Sequence, residues 1–361
     1  MHGASCGQPS AAPLALWMAD QPVQPMPMIT GVSISEPQAR LAVHNIDDLV
    51  GLVPYLIGFH PEESLVVIVI EDGRVEVTAR VDLAAVSGRS SPAALVGRLF
   101  DRYPSAGAWF LAYTGDDDLA WDVLGSCAAL GGRDRVQRCL QVGPDTWRGD
   151  EPDGPTGPIS RRVPSVAAEA AVLGLPVRPS RRSLAAGIAG PPPEEVDDLA
   201  ARFVAEEVAI DRLGSRGRRR ILRRLLAADE PPDRDDSVRL ALLVQHEEAQ
   251  LRALRQLSVE SAERQLALWT RIVRHTLPAH RPAVLGLLGM AAWQNGDGAL
   301  AMVCLEQLDR IDPLEPVAAL LDWLNEEVVP PYAWPKVREP LLAALADQFT
   351  VAGRRASRPG R

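Results

Sequence analysis

The order of elements legible in the sequence predicts an α/β N-terminal domain with a mixed sheet, followed by an all-α helical array containing a tetratricopeptide-like hairpin. Three observations carry this reading. "SLVVIVI" and "RVEVTARV" are β-rich runs joined by Asp72-Gly73, the strongest short hairpin signal. "AWFLAYT" and "RVQRCLQV" are two further strand-like runs, each preceded by a helical pattern. Beyond the Gly/Pro/Asp-rich stretch "GPDTWRGDEPDGPTGPI", every apolar pattern recurs at three- and four-residue spacing.

Each element follows from its residues. Positions 1–36 are rich in Pro, Ser, Ala, Gln and Met without periodicity and are expected to form a disordered tail. Met18, Met26 and Met28 leave the true start open, and the apolar run "PLALWMA" has no basic residue ahead of it, so it fails as a secretory signal. "IDDLVGLVPYLIG" has helical spacing and ends on Gly58, suited to a left-handed cap; Pro54 should kink or shorten it. "SPAALVGRLFDRYP" is a helix with Ser90 or Ser91 as cap and Pro92 in its first turn. "DDDLAWDVLGSCAALGG" is the helix between the last two strands. The expected boundaries are a tail at 1–36, the α/β domain at 37–160, the helical array at 161–350 and a second disordered tail at 351–361.

Within the array, "EEVDDLAARFVAEEVAIDRL", "RRRILRRLLAAD", "SVRLALLVQHEEAQLRALRQL" and "ESAERQLALWTRIVRHTL" each read as a helix. From Pro282 to Leu320, Gly289, Ala301 and Pro313 stand at the twelve-residue intervals of a tetratricopeptide unit. Leu308 occupies a place usually held by alanine, and no second copy is evident. A single unit cannot bury its own face, so it is either a groove for a partner peptide or a helical hairpin in an ordinary bundle.

"DLVGLVPYLIGFHPEESLVVIVI", then "SVAAEAAVLGLPVRPSRRSLAAGI", then "AAWQNGDGALAMVCLEQLDRIDP" occur in this order over roughly residues 40–330. In these segments the chain resembles the actinobacterial family catalogued as domain of unknown function 4192. The resemblance implies an actinobacterial source and carries no activity with it. Members of the family often have a cysteine-bearing segment before the "AAEA" helix; here "WRGDEPDGPTGP" has none.

Composition narrows the function classes. A formal charge of −9 argues against general nucleic-acid affinity. Lys336 is the only lysine among 38 basic residues, a bias typical of GC-rich bacterial coding. Cys6, Cys127, Cys139 and Cys304 form no C-x-x-C pair, which fits reduced thiols in a cytoplasmic protein. No apolar run reaches the roughly 18 residues a membrane span needs. Neither a cofactor nor a metal is expected, and the expected partner is another protein bound through the helical array.

Catalytic patterns fail on context. "GASCG" at Gly3 copies a nucleophile elbow but sits in the tail, without a strand before it. "HEEAQ" at His246 has Gln250 where a zinc-binding histidine would stand. "GDGALA" at Gly296 follows a helix, so the phosphate cradle of a dinucleotide site does not form. The cluster "RLGSRGRRRILRRLL" is offset by its surroundings: Glu194 to Asp236 contains twelve acidic residues and nine arginines. A solvated, salt-bridged helix is expected there.

The stretch "HPEES" remains. With a two-residue turn at Asp72-Gly73 and regular pairing, Glu63 faces Asp82 and is diagonal to Arg80, all on one side of the hairpin. Ser64 then points to the other face, and His60 lies one turn away. His60, Glu63, Arg80 and Asp82 are thus the candidate binding residues, with no catalytic or metal-binding set among them. A structural ion-pair cluster is favoured over a site, and hence a non-enzymatic interaction protein over an enzyme or small-ligand sensor.

Overall fold

The computed structural model describes residues 45–356 apart from positions 73, 85–90, 133, 160–164, 173–176, 179 and 229. The tail expected at 1–36, with its "GASCG" pattern, lies outside the described residues, as do the last five residues of the chain.

The first half contains α1 (Ile46–Ile57), β1 (Ser64–Glu71), β2 (Arg74–Asp82), α2 (Pro92–Arg102), β3 (Gly107–Tyr113), α3 (Asp117–Gly131), β4 (Val136–Val142), β5 (Thr146–Gly149) and β6 (Thr156–Pro158). Asn45 caps α1 by accepting from the Asp48 N–H at 2.8 Å, and Gly58 ends it with φ of 84°. Pro54 lies inside α1 without shortening it. Ser91, not Ser90, caps α2, with Pro92 as its first residue. The strands form one mixed sheet in the order β2-β1-β3-β4-β5-β6, in which only β3 and β4 run parallel. Four strands are legible in the sequence; β5 and β6 fall inside the Gly/Pro/Asp-rich stretch, too short to show an alternating pattern.

The second half is helical: α4 (Ser165–Val172), α5 (Arg181–Gly187), α6 (Val196–Asp211), α7 (Ser215–Ala227), α8 (Arg234–Leu243), α9 (Glu247–Arg255), α10 (Ala262–Arg274), α11 (Arg281–Gln294), α12 (Gly298–Ile311), α13 (Pro316–Glu326) and α14 (Trp334–Ala356). Two boundaries differ from the sequence reading. The run from Ser237 to Leu257 is not one helix: α8 ends at Leu243, and His246 adopts an extended backbone before α9. The last helix runs to Ala356, past the expected boundary at 350.

The sheet has two buried faces. Leu65, Val67, Val69, Phe110 and Cys139 pack under α2 and α3 with Leu99, Phe100, Leu124 and Cys127. Val66, Ile68, Leu111, Tyr113, Leu140 and Val142 face the other way, into one continuous core with α1 and the helical array. At the centre of that array, α11 is buried along its length except at Pro282. The hairpin expected around Gly289 is formed by α11 and α12. A Cβ on Gly289 would lie 3.2 Å from the Cys304 Cβ, so the missing side chain lets the two helices approach closely. Val317 and Leu321 of α13 close the same face. The hairpin's inner surface is therefore filled by the chain's own helices.

Candidate functional site

The amino end of β1 and the carboxyl ends of β2, β3 and β4 meet at one edge of the sheet: Ser64 pairs with Asp82 and with Tyr113, and Tyr113 pairs with Val142. In open α/β sheets this is the edge where ligands most often bind. The four candidate residues lie along it, but not in the expected constellation.

Glu71 lies opposite Arg74, as expected. The register then shifts, because Ile70 pairs with Val75 and Val69 with Val77, leaving Glu76 as an extra residue in β2. A one-residue bulge moves every later residue of the strand to the opposite face. Ser64, not Glu63, is thus the partner of Asp82, and Val66 is the partner of Arg80. Ser64, Arg80 and Asp82 share the face turned toward the helical array, which corrects the expectation that Ser64 points away from Arg80 and Asp82.

Arg80 donates from Nε to Ser64 Oγ at 2.8 Å and pairs through Nη2 with Asp82. The Arg80 side chain is 17% exposed and that of Asp82 is 58% exposed. Burial pulls the Arg80 guanidinium below its usual value, opposed by Asp82 and weakened further by the nearby charge of Arg181. Across the seam, Arg181 of α5 and Glu306 of α12 form their own pair at 2.6 Å. Arg178 hydrogen-bonds through its backbone N–H to the Gly58 carbonyl at 2.8 Å and lends its charge to the half-buried Asp297, the cap of α12. Burial holds the Asp297 carboxyl above the usual range. Two arginine–carboxylate ion pairs thus lie at the seam between sheet and array, and Arg178 acts on Asp297 through its charge alone.

Glu63 belongs to a different group. Its backbone has φ of 42°, its carbonyl accepts from the Leu83 N–H at 3.1 Å, and its carboxylate accepts from the Thr114 hydroxyl at 2.8 Å. Thr114 Oγ1 in turn accepts from the Asp116 N–H at 3.1 Å, and Asp116 caps α3. Next to it, hydrogen bonds from Gln141 and Arg148 hold the Asp117 carboxyl below the usual carboxylate range. His60 is exposed, and among the described residues no hydrogen bond or ion pair joins it to Glu63, Arg80 or Asp82. Sequence reasoning missed Thr114, Arg181 and Glu306, since each comes from an element far away in the chain.

Ser64 donates its proton to the Glu62 carbonyl and presents its oxygen to a guanidinium, an arrangement with no base to activate it. The Tyr113 hydroxyl, on the same face, is buried without a hydrogen-bond partner in the described structure. At the opposite end of β4 a recess of about 430 Å³ is lined by Gln137, Arg138, Cys139 and Asp150, with Arg138 and Asp150 paired at 2.5 Å. Burial pushes the Cys139 thiol up to about 11, so it stays protonated near neutral pH. Among the described residues no group of three or more His, Cys, Asp or Glu could hold a metal ion. No helix of the described residues is long and apolar enough to cross a membrane.

The family model described as "Domain of unknown function (DUF4192)" matches residues 47–332, well over half of the 361-residue chain. The chain belongs to this family. The match takes in the polar edge, the seam and the α11–α12 hairpin together, so the sheet and the array are parts of one family unit. No curated protein and no solved structure matches the chain.

Proposed function

We propose that the chain is a non-catalytic cytoplasmic scaffold that holds an acidic protein segment on the outer side of its helical array. The observation that carries this reading is the arginine face of α7. Arg216, Arg220 and Arg223 are exposed, stand at i, i+4 and i+7, and have no ion pair among the described residues. Their neighbours on the same helix are engaged: Arg219 pairs with Glu248 at 2.6 Å and Arg224 with Asp236 at 3.0 Å. Three free guanidinium groups spread over about 10 Å of helix match carboxylates spaced along an extended or helical acidic peptide. The formal charge of −9 for the whole chain disfavours a polyanion as large as duplex DNA, which would meet acidic surface around so small a patch.

Two further observations support the reading. Ser64, the hydroxyl bonded to Arg80, has no base beside it. Cys127, Cys139 and Cys304 are buried free thiols, in keeping with a reducing compartment.

The test is fluorescence anisotropy with a labelled acidic dodecapeptide and a labelled duplex DNA of similar charge. The peptide should bind at low salt and weaken as salt rises, and the triple variant Arg216→Gln/Arg220→Gln/Arg223→Gln should bind about tenfold more weakly or not at all. Equal binding of wild type and triple variant would overturn the reading. Tighter binding of the DNA would assign the face to nucleic acid instead.

A further inference from the structure

A second surface of the array, independent of the α7 arginines, has a pattern that fits one particular partner. The inner face of α6 is secured twice over. Leu199, Phe203 and Ile210 enter the core. Arg202 reaches Asp235 at 2.7 Å, while Glu206 accepts from Arg239 at 2.7 Å. The outer face is apolar where a solvated helix should be polar. Val204 is 63% exposed and Val208 45% exposed, and Ala201 and Ala205 are exposed beside them. Single exposed valines need no explanation, but four apolar residues at i, i+3, i+4 and i+7 form a continuous stripe.

Charge closes the stripe at both ends. Asp197 stands one turn before Ala201 and Arg212 one turn after Val208, both exposed, and neither has an ion pair among the described residues. Arg212 keeps helical backbone angles, so it continues the same face. The pattern is centred between Val204 and Ala205. Turning the helix end for end sets Val204 against Ala205, Ala201 against Val208, and Asp197 against Arg212. Large residues meet small ones, and each end joins an acid to a base.

We propose that α6 is a self-association surface, on which a second copy of this chain packs its own α6 antiparallel about a two-fold axis. Such an isologous contact uses one patch twice, and a patch matched to its own reversal is what that symmetry requires. Two helices with alanine opposite valine approach to the 8–10 Å of ordinary helix pairs. Asp211 lies beside Arg212, so each end gathers two acids around one arginine; burial of the valines supplies most of the affinity, and the end charges set the direction. A 16-residue helix is about 24 Å long, so one face of it contributes less than the roughly 800 Å² per partner of a standard interface. The dimer is therefore weak, with dissociation in the micromolar range of about 10–100 μM.

Sedimentation equilibrium of the full chain across about 1–300 μM reads this directly, a range chosen to bracket that affinity. The mass should rise from 39.0 kDa toward twice that value as concentration increases. Val204→Asp should abolish the rise without moving the melting temperature, because the side chain it replaces is mostly in solvent. Asp197→Arg and Arg212→Asp should each weaken the dimer, and the double exchange should restore it, since each end then again joins opposite charges. A chain that stays monomeric throughout overturns the proposal. So does a dimer that survives Val204→Asp, or one that the double exchange fails to restore. None of these outcomes bears on acidic-peptide binding by α7.

Discussion

The two faces of the sheet are buried by different means and in different chemistry. On one side, α2 and α3 come from the segments that connect the strands they cover. Their layer is largely apolar, and burial pushes up the Cys127 and Cys139 thiols, to about 12 and about 11, and the Tyr103 phenol, to about 12. On the other side, the covering helices come mostly from far along the chain. Buried with them are Asp48, Arg281 and Glu315. Two arginines on this side have a guanidinium weakened by burial, Arg80 at the seam and Arg281 inside the array. The locally connected layer closes mainly with hydrophobic packing, with Arg135 stacked over the Phe100 ring at its rim. The long-range layer buries carboxylates as well, and its stability should depend more strongly on pH and on ion pairs.

The largest expected expression of that difference is at Glu315. It precedes α13 and is 8% exposed. Burial, followed by the nearby charge of Asp312, raises its carboxyl to about 7, opposed by the Val317 N–H and the Gln250 amide. Its folded-state value lies above the ordinary value of about 4.3, so the folded chain holds the proton that the unfolded chain has released. Stability should therefore fall as pH rises from about 4.3 to about 7, by something on the order of 3–4 kcal/mol from this group. Glu315→Gln should remove that part of the slope and be more stable than wild type at pH 8. Urea unfolding of both proteins between pH 5 and pH 8 measures it; identical slopes would break the contrast between the two layers.

A smaller effect is expected at the seam. Arg80→Met removes one hydrogen bond to Ser64 and an ion pair whose acid is largely in solvent, a loss of about 1–2 kcal/mol. Because Glu63 is held by Thr114 and not by Arg80, adding Glu63→Gln to the Arg80→Met background should recover nothing. Recovery in the double variant would show that Glu63 and Asp82 repel each other as regular hairpin pairing implies, and would remove the bulge from the account.

The architecture was legible in the sequence wherever the signal was local. Gly58, Ser91 and the Asp72-Gly73 turn mark their elements through caps and turn chemistry, and α11–α12 through small residues at fixed spacing. The split between α8 and α9 was hidden because apolar residues continue through Val244, although Glu247 and Glu248 supply the acidic first turn of a new helix. The candidate edge was only half legible. Glu76 carries no sequence mark as an extra residue, yet it decides that Ser64 and Arg80 meet. Thr114 reaches Glu63 from 51 positions away, and Arg181 and Glu306 reach the seam from α5 and α12. Pair contacts of that separation leave no periodic trace in one sequence.

The sheet and the helical array share one core through Val66, Ile68, Leu111 and Leu140, so the two halves of the chain should unfold together. Scanning calorimetry of the full chain and of Leu111→Ala tests it most directly. Leu111 is fully buried on the array-facing side of β3, and its truncation should cost about 2–5 kcal/mol. The account predicts a single transition in both proteins, with equal calorimetric and van't Hoff enthalpies, displaced as a whole to lower temperature in the variant. Two resolved transitions, of which Leu111→Ala moves only one, would contradict it.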